Sequence, residues 1–514
     1  MDVLLLSPRQ GIPPHMRPPE PTSPVSNAEK ARLICAYMHE TGIWCETTDS
    51  ERHFTVKSIH EMMGSAAFVA AAMALASRQL DHLERQQRPV TLELHQYSIR
   101  LLLRQHPAKS DASMLAACTL LCVYEMMASE VHEWRRHLKG CAGHLQAKRW
   151  NGSSEGIVKS CFWAFARIDV WAAFISGNST LIPTDFWIDN MSFESVAAKG
   201  NVDDYCNMAN VIFAKIVNLL AAGYHEKRYY TALATVSNLW SELQAWCRLR
   251  PKDVCPLLRD HSPGQVSPTV LYSRSSSICG NTFYHAGCIL LLQTGILPVV
   301  TGGVSLLQET KSAVWHAREL AGISMSNPSH ANWVNHLQPL FIAGTVFASS
   351  ETGPGMKNAR ESQKGSIPPS AHGSRETLNT TGYAPQREDS YAEERTLLLN
   401  HLARIERETG WKTSDRTATL RALWVCSRAM PCNLCFALIG IESNYTACSI
   451  VGIRSKASIG RLLCLDANKV RRSEENPKVH SFLWPVTKAY VPVTGDSINQ
   501  WQSTPERSKT PFPA

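Results

Sequence analysis

The sequence has no run of apolar residues approaching the roughly 20 that a membrane-spanning helix needs. The longest, Ala66–Ala76 and Cys288–Val300, are short, and the second is interrupted by Gln293, Gly295 and Pro298. No membrane partner is therefore expected. Val3–Leu6 is too short for the apolar region of a secretory signal and lacks a basic flank. An oxidising compartment is thus not expected, and the 16 cysteines are read as free thiols. Phosphate-binding loops are missing as well. There is no G-x-x-x-x-G-K-[ST], no G-x-G-x-x-G after a strand and no G-x-S-x-G. No constellation for catalysis or cofactor binding remains, and the chain is read as a non-enzyme. Alternating strand patterns are few and short, which excludes a large sheet.

A concentrated basic stripe is also lacking in the main body. The net charge is +8 over 514 residues. Residues 350–514 hold 22 Lys/Arg against 16 Asp/Glu, leaving 30 against 28 for residues 1–349. A phosphate-gripping face requires more than that. Metal-ligand spacing is equally poor. His132-Glu133 with His137 places the two histidines five apart, about 140° around a helix, where chelation from one helix needs i and i+4. Glu133 is better read as pairing with Arg136 or His137 along a solvated face. Cys432 and Cys435 form a single C-x-x-C near Cys426 and Cys448, without the second pair a zinc site requires. No metal ligand is assigned.

Helical periodicity is abundant. Residues 1–27 contain seven prolines and read as a disordered arm, ended by Asn27 as a helix cap. Helices are expected over Ser58–Gln87, Thr91–Gln105, Asp111–Ser129, His132–Trp150, Ser160–Ser176, Asp203–Gly223, Lys227–Leu249, Ser275–Leu292 and Gly303–Ala321. The fold class is all-α: an irregular array of about ten helices over 28–348. Residues 349–390, rich in Gly, Ser, Pro, Asn and Thr, read as a disordered insert. A helical segment of the same domain returns at 391–424. Residues 425–514 carry no clean period and are expected to be poorly ordered.

Cys161–Phe174 (CFWAFARIDVWAAF) is apolar nearly all round, as a central helix would be. Arg167 and Asp169 within it need partners, and two residues apart they cannot serve each other. One reading is structural pairing with other helices. The other is a ligand cavity lined by Trp163, Arg167 and Trp171.

At this helix the sequence resembles the fungal-specific transcription factor domain, the regulatory region of fungal binuclear zinc cluster proteins. The resemblance runs through Leu120–Met127 (LLCVYEMM), Glu133–Cys141 (EWRRHLKGC), Trp150–Gly152, Cys161–Phe174, and Leu181–Thr184 (LIPT) with Trp187. It continues through Tyr284–Gln293 (YHAGCILLLQ), Ala317–Ala321 (ARELA), Gln338–Gly344 (QPLFIAG) and Ile405–Trp411 (IERETGW). It implies an all-α regulatory domain in a nuclear regulator of RNA polymerase II transcription. In that family a six-cysteine cluster holding two zinc ions reads promoter DNA, and the helical domain tunes activity, sometimes through a small-molecule effector. The cluster's C-x-x-C-x-x-x-x-x-x-C is not found ahead of the helices here, so no zinc ligand carries over. Zinc, promoter DNA and the transcription machinery are expected partners of a protein that also carries the cluster. The rival expectation is a regulatory or scaffold protein that binds no DNA and pairs with a complete transcription factor.

Overall fold

A computed structural model describes residues 21–105, 111–129, 131–189, 192–223, 229–295, 297, 312–348 and 390–429. The expectations for residues 1–20, for 349–389 and for 430–514, with Cys432, Cys435 and Cys448, lie outside these residues. So do the side chains of His132, Glu133 and Arg136.

The described residues are mostly helical, as the periodicity predicts. The helices are α1 (Asn27–Ala36), α2 (Ile59–Met62), α3 (Ala66–Glu84), α4 (Pro89–Arg104), α5 (Ala112–Ala128) and α6 (Val131–Lys148). Then follow α7 (Gly156–Ser176), α8 (Phe193–Lys199), α9 (Val202–Ala222), α10 (Tyr229–Arg248) and α11 (Ser275–Gln293). The set closes with α12 (Ala313–Ser326), α13 (His330–Val346), α14 (Ala392–Thr409) and α15 (Ser414–Ala429). Fourteen of these have seven or more residues, against the ten or so expected.

Local chemistry sets the boundaries. Ser26, not Asn27, caps α1, its Oγ accepting from Glu29 N. The single helix expected over 58–87 is broken in two, because Ser65 takes an extended backbone and caps α3 through Phe68 N. Asp111 and Asn201 cap α5 and α9 in the same way. Gly177 and Gly410 end α7 and α14 in the left-handed conformation. The long connection after Pro251 holds the one sheet among the described residues. It is an antiparallel ribbon of β1 (Leu258–Asp260) and β2 (Thr269–Leu271), with Arg259 opposite Val270.

α11 is the axis of the body. Every residue from Ser276 to Leu291 is buried, and it packs against α9, α10, α12 and α13. α3 packs against α1, α4, α5 and α14, while α5, α6 and α7 form a second layer. α7 reaches α9 and the turns at 42–45 and 53–57. α9 is long and apolar enough by length and composition to cross a membrane, which corrects the expectation that no stretch is. In the fold 67% of its apolar window is buried among the other helices, and this burial accounts for its apolarity.

α14 and α15 return to the same body. Gln79 Nε2 donates to Thr409 O (3.5 Å), His82 Nδ1 stands 2.8 Å from Gly410 O, and Trp424 Nε1 donates to Gly344 O (2.9 Å). Arg318 pairs with the buried carboxylate of Glu394 at 2.5 Å.

Candidate functional site

Trp163, Arg167 and Trp171 lie one turn apart along α7, and all three are buried. They meet different neighbours. Trp163 Nε1 donates to Gly152 O (3.2 Å), and its ring stands edge-on to Phe162 and Trp187. Trp171 stacks on Phe283 of α11 at 5.3 Å and lies 5.0 Å from Phe213 of α9. Between them, Arg167 is 2% exposed. Its Nη1 donates to Thr48 Oγ1 (2.7 Å) and its Nη2 to Cys45 O (2.9 Å).

These bonds differ in kind from the pairing expected between helices. Arg167 is satisfied by a neutral hydroxyl and a carbonyl from the short helical turns after α1, and no carboxylate lies within hydrogen-bond distance. Burial lowers its pKa, opposed by the neighbouring thiols Cys279 and Cys45 and the carboxylates of Asp49 and Asp203. Burial pushes the Cys45 thiol to about 12 and Cys279 to about 11, with the guanidinium pulling each back. Neither is a nucleophile at neutral pH. Asp169 turns the other way. Its Oδ2 accepts from the backbone N–H of Leu181 (2.7 Å) and Ile182 (3.4 Å), while its Oδ1 has no partner. Burial raises its pKa to about 6 against those two bonds.

On α7, α9 and α13 lie buried polar atoms that have no hydrogen-bond partner. They are Trp171 Nε1, His336 Nδ1, and both side-chain polar atoms of Asn207, Asn210 and Asn332. Sequence reasoning missed the three asparagines. Asn207 and Asn210 read from sequence as the solvent side of an amphipathic helix, and Asn332 falls in a stretch whose Asn and His residues blur the apolar period. They are at most 1% exposed.

The buried histidines carry a pH dependence. Burial holds His336 at about 3 and His401 at about 4, and their imidazoles rest against Thr282 Oγ1 (3.1 Å) and Ser324 Oγ (2.9 Å). In the unfolded chain both titrate near 6.5. Acidification through that range therefore protonates the unfolded state first, and stability is lost. Asp169 acts oppositely. With a raised native pKa it takes a proton before the unfolded chain does, so it adds stability as pH falls from about 6. Two groups outweigh one, and Asp49 and Glu125, held below the usual carboxylate range despite burial, add a further loss at lower pH. The melting temperature is expected to fall as pH drops from 7 to 5, measured by circular dichroism. A rise would refute the assignment of His336 and His401 as neutral.

Two surface hollows are separate from this centre. One, of about 430 Å³, lies between Glu61–Ala66 and Gln105, Asp111–Ser113. The other, of about 460 Å³, is bordered by His95, Arg100, Glu125 and His137. There His95 Nε2 stands 2.8 Å from Glu125 Oε1, and His137 Nε2 stands 3.9 Å from it. Among the described residues no group of three or more His, Cys, Asp or Glu side chains is placed to hold a metal ion.

Comparison with known proteins follows the same lines as the fold. The sequence profile of the fungal-specific transcription factor domain matches residues 49–367. A protein of Alternaria alternata, Transcription activator AMTR1, is 25% identical over 308 residues. That alignment takes in 47% of this chain, and the chain spans 40% of the relative's length. No solved structure matches the chain. The matched span includes Trp187, α7 and Asn207, Asn210 and Asn332, though not the residues Cys45 and Thr48 that bind Arg167, and over that span the chain belongs to the fungal-specific transcription factor domain family.

Proposed function

We propose that the protein is a nuclear regulator of RNA polymerase II transcription of the fungal zinc cluster class, whose helical body tunes activity in response to a small effector. The observation that carries this reading is the family match over 49–367. The activator named in Alternaria alternata supports it. An interior that places a cation and carboxamides among apolar helices, with no catalytic constellation nearby, suits a regulatory domain. Zinc would be held by six cysteines of the family's cluster, and none of the described residues fits that role. In this reading promoter contact belongs to sequence outside the helical body.

A second reading has a specific observation behind it. Residues 1–349 are almost neutral, which favours a chain that works by pairing with a complete regulator. One experiment separates the two. The native protein is tagged at its locus, and chromatin occupancy is compared with transcript changes on deletion. Nuclear signal with discrete promoter peaks and altered transcripts at those genes supports the first reading. Peaks that vanish when a partner regulator is removed support the second. A tagged protein absent from the nucleus, with transcripts unchanged on deletion, would sink both.

A further inference from the structure

The unpartnered polar atoms face one region, as the contacts of their own helices show. On α9, Asn210 lies one turn from Cys206 and one turn from Phe213. Cys206 abuts α11 closely: a Cβ at Gly280 would stand 2.9 Å from Cys206 Cβ. Phe213 meets both Trp171 and Phe283. Asn210 is therefore on the stripe that looks toward α7 and α11. Asn207 lies one turn from Asp203, whose carboxylate accepts from Ser50 N (2.8 Å) and Ser50 Oγ (2.7 Å). On α13, Asn332 is one turn before both Asn335, which donates to Thr47 Oγ1 (2.9 Å), and His336, which touches Thr282 of α11. Trp171 is one turn beyond Arg167. All these faces turn toward the junction of α7, α9, α11, α13 and the 45–50 segment.

The junction has a definite chemistry. Its cation, Arg167, has five N–H donors, and its hydrogen bonds go to neutral oxygens. The nearest carboxylates are committed elsewhere. Asp49 binds His53 N (2.8 Å) and His53 Nδ1 (2.9 Å), and Asp203 binds Ser50 and Ser276. Three carboxamides supply donors and acceptors that the protein leaves unmatched. Trp171, Phe213 and Phe283 wall the same region with aromatic rings. Buried amides without partners are costly, and proteins retain such groups mainly where something completes them.

We infer that this junction is the binding site of a small carboxylate-bearing polar metabolite, with the carboxylate on Arg167 and the remaining polar groups on Asn207, Asn210, Asn332 and Trp171. The inference rests on the effector reading above and names the effector's chemical class. An uncharged apolar ligand would leave the same atoms unmatched.

The test uses the purified full chain with sodium acetate, succinate and glutamate as probes and sodium chloride as control. At a hundredfold excess over Kd, at least one carboxylate is expected to raise the melting temperature by about 3 °C. Calorimetry should give saturable heat for the same probe. Arg167→Lys and Asn210→Leu should each abolish both signals. Asn210→Leu alone, without ligand, should melt above the wild type, because it removes an unmatched amide at nearly constant volume. Where Arg167→Lys fails to fold, Asn210→Leu and Asn332→Leu decide. No shift and no heat with all three probes would overturn the inference. So would a shift that survives both asparagine variants, or an Asn210→Leu protein that melts lower. A chain that binds a carboxylate in this way but leaves transcripts unchanged on deletion would refute the transcriptional reading and leave the site standing.

Discussion

Trp187→Ala is expected to destabilise the protein by about 3–5 kcal/mol, the range for truncating a large buried aromatic. Trp187 is wholly buried. Its ring meets Phe162 at 6.0 Å and Trp163 at 6.3 Å, both edge-on, and its Nε1 donates to Ile182 O at 3.1 Å. Its own carbonyl accepts from Gly152 N at 2.8 Å. One residue thus fastens the 150–153 turn and the 180–189 segment onto α7. Truncation opens a cavity and also releases a carbonyl. Trp187→Phe keeps most of the ring and loses the indole bond, so about half the cost is expected. Urea titration of each variant measures this as a lower midpoint with unchanged slope. A Trp187→Ala loss below about 1 kcal/mol would mean that the segment collapses onto α7 without it.

A glycine-to-alanine pair is expected to split in sign. At Gly322, in α12, an added Cβ would stand 2.2 Å from the carbonyl oxygen of Pro268, which leads into β2. Backbone is on the other side of that contact, so no side chain can swing away. Gly322→Ala should cost about 2–3 kcal/mol by forcing the ribbon off the helix. The ribbon is held there by Asn327 Nδ2 donating to Val270 O (2.7 Å), by Val270 N donating to Ser326 Oγ (3.1 Å), and by the Arg259–Glu319 pair. At Gly143, in α6, a Cβ meets nothing within 4 Å. Gly143→Ala should therefore stabilise by about 0.5–1 kcal/mol through helix propensity alone. Thermal melts of the two variants side by side check both. Equal shifts would show that propensity, not the Pro268 contact, governs position 322.

The sequence made α7 legible because a 14-residue run that is apolar nearly all round has no other place than an interior. It also located Arg167 and Asp169 as residues in need of partners. It did not say which partners, because those come from a turn at 45–48 and a loop at 181–182, far apart along the chain. α13 escaped notice for a different reason. Its Asn, His and Gln residues and Pro339 blur the apolar period, and Asn332, His336 and Gln338 among them turn inward in the fold. α8, seven residues long, offers too few turns for a period to register. The split between α2 and α3 depended on Ser65 winning an end-of-helix bond over helix continuation, a local contest of about 1 kcal/mol. Asn207 and Asn210 were illegible for the converse reason: polar residues in an apolar helix mean water in most sequences, and here they mean the interior.

The late return of α14 and α15 has a consequence for how the chain is made. Gln79 and Thr409, which touch in the finished fold, are 330 residues apart. At 5–20 residues per second, a ribosome takes roughly 15–65 s to deliver the second after the first. Throughout that interval the face of α3 that α14 will cover stands open, and once α13 is made the seat for Trp424 of α15 at Gly344 waits as well. A chain that ended before α14 would leave that flank of α3 and α13 permanently uncovered.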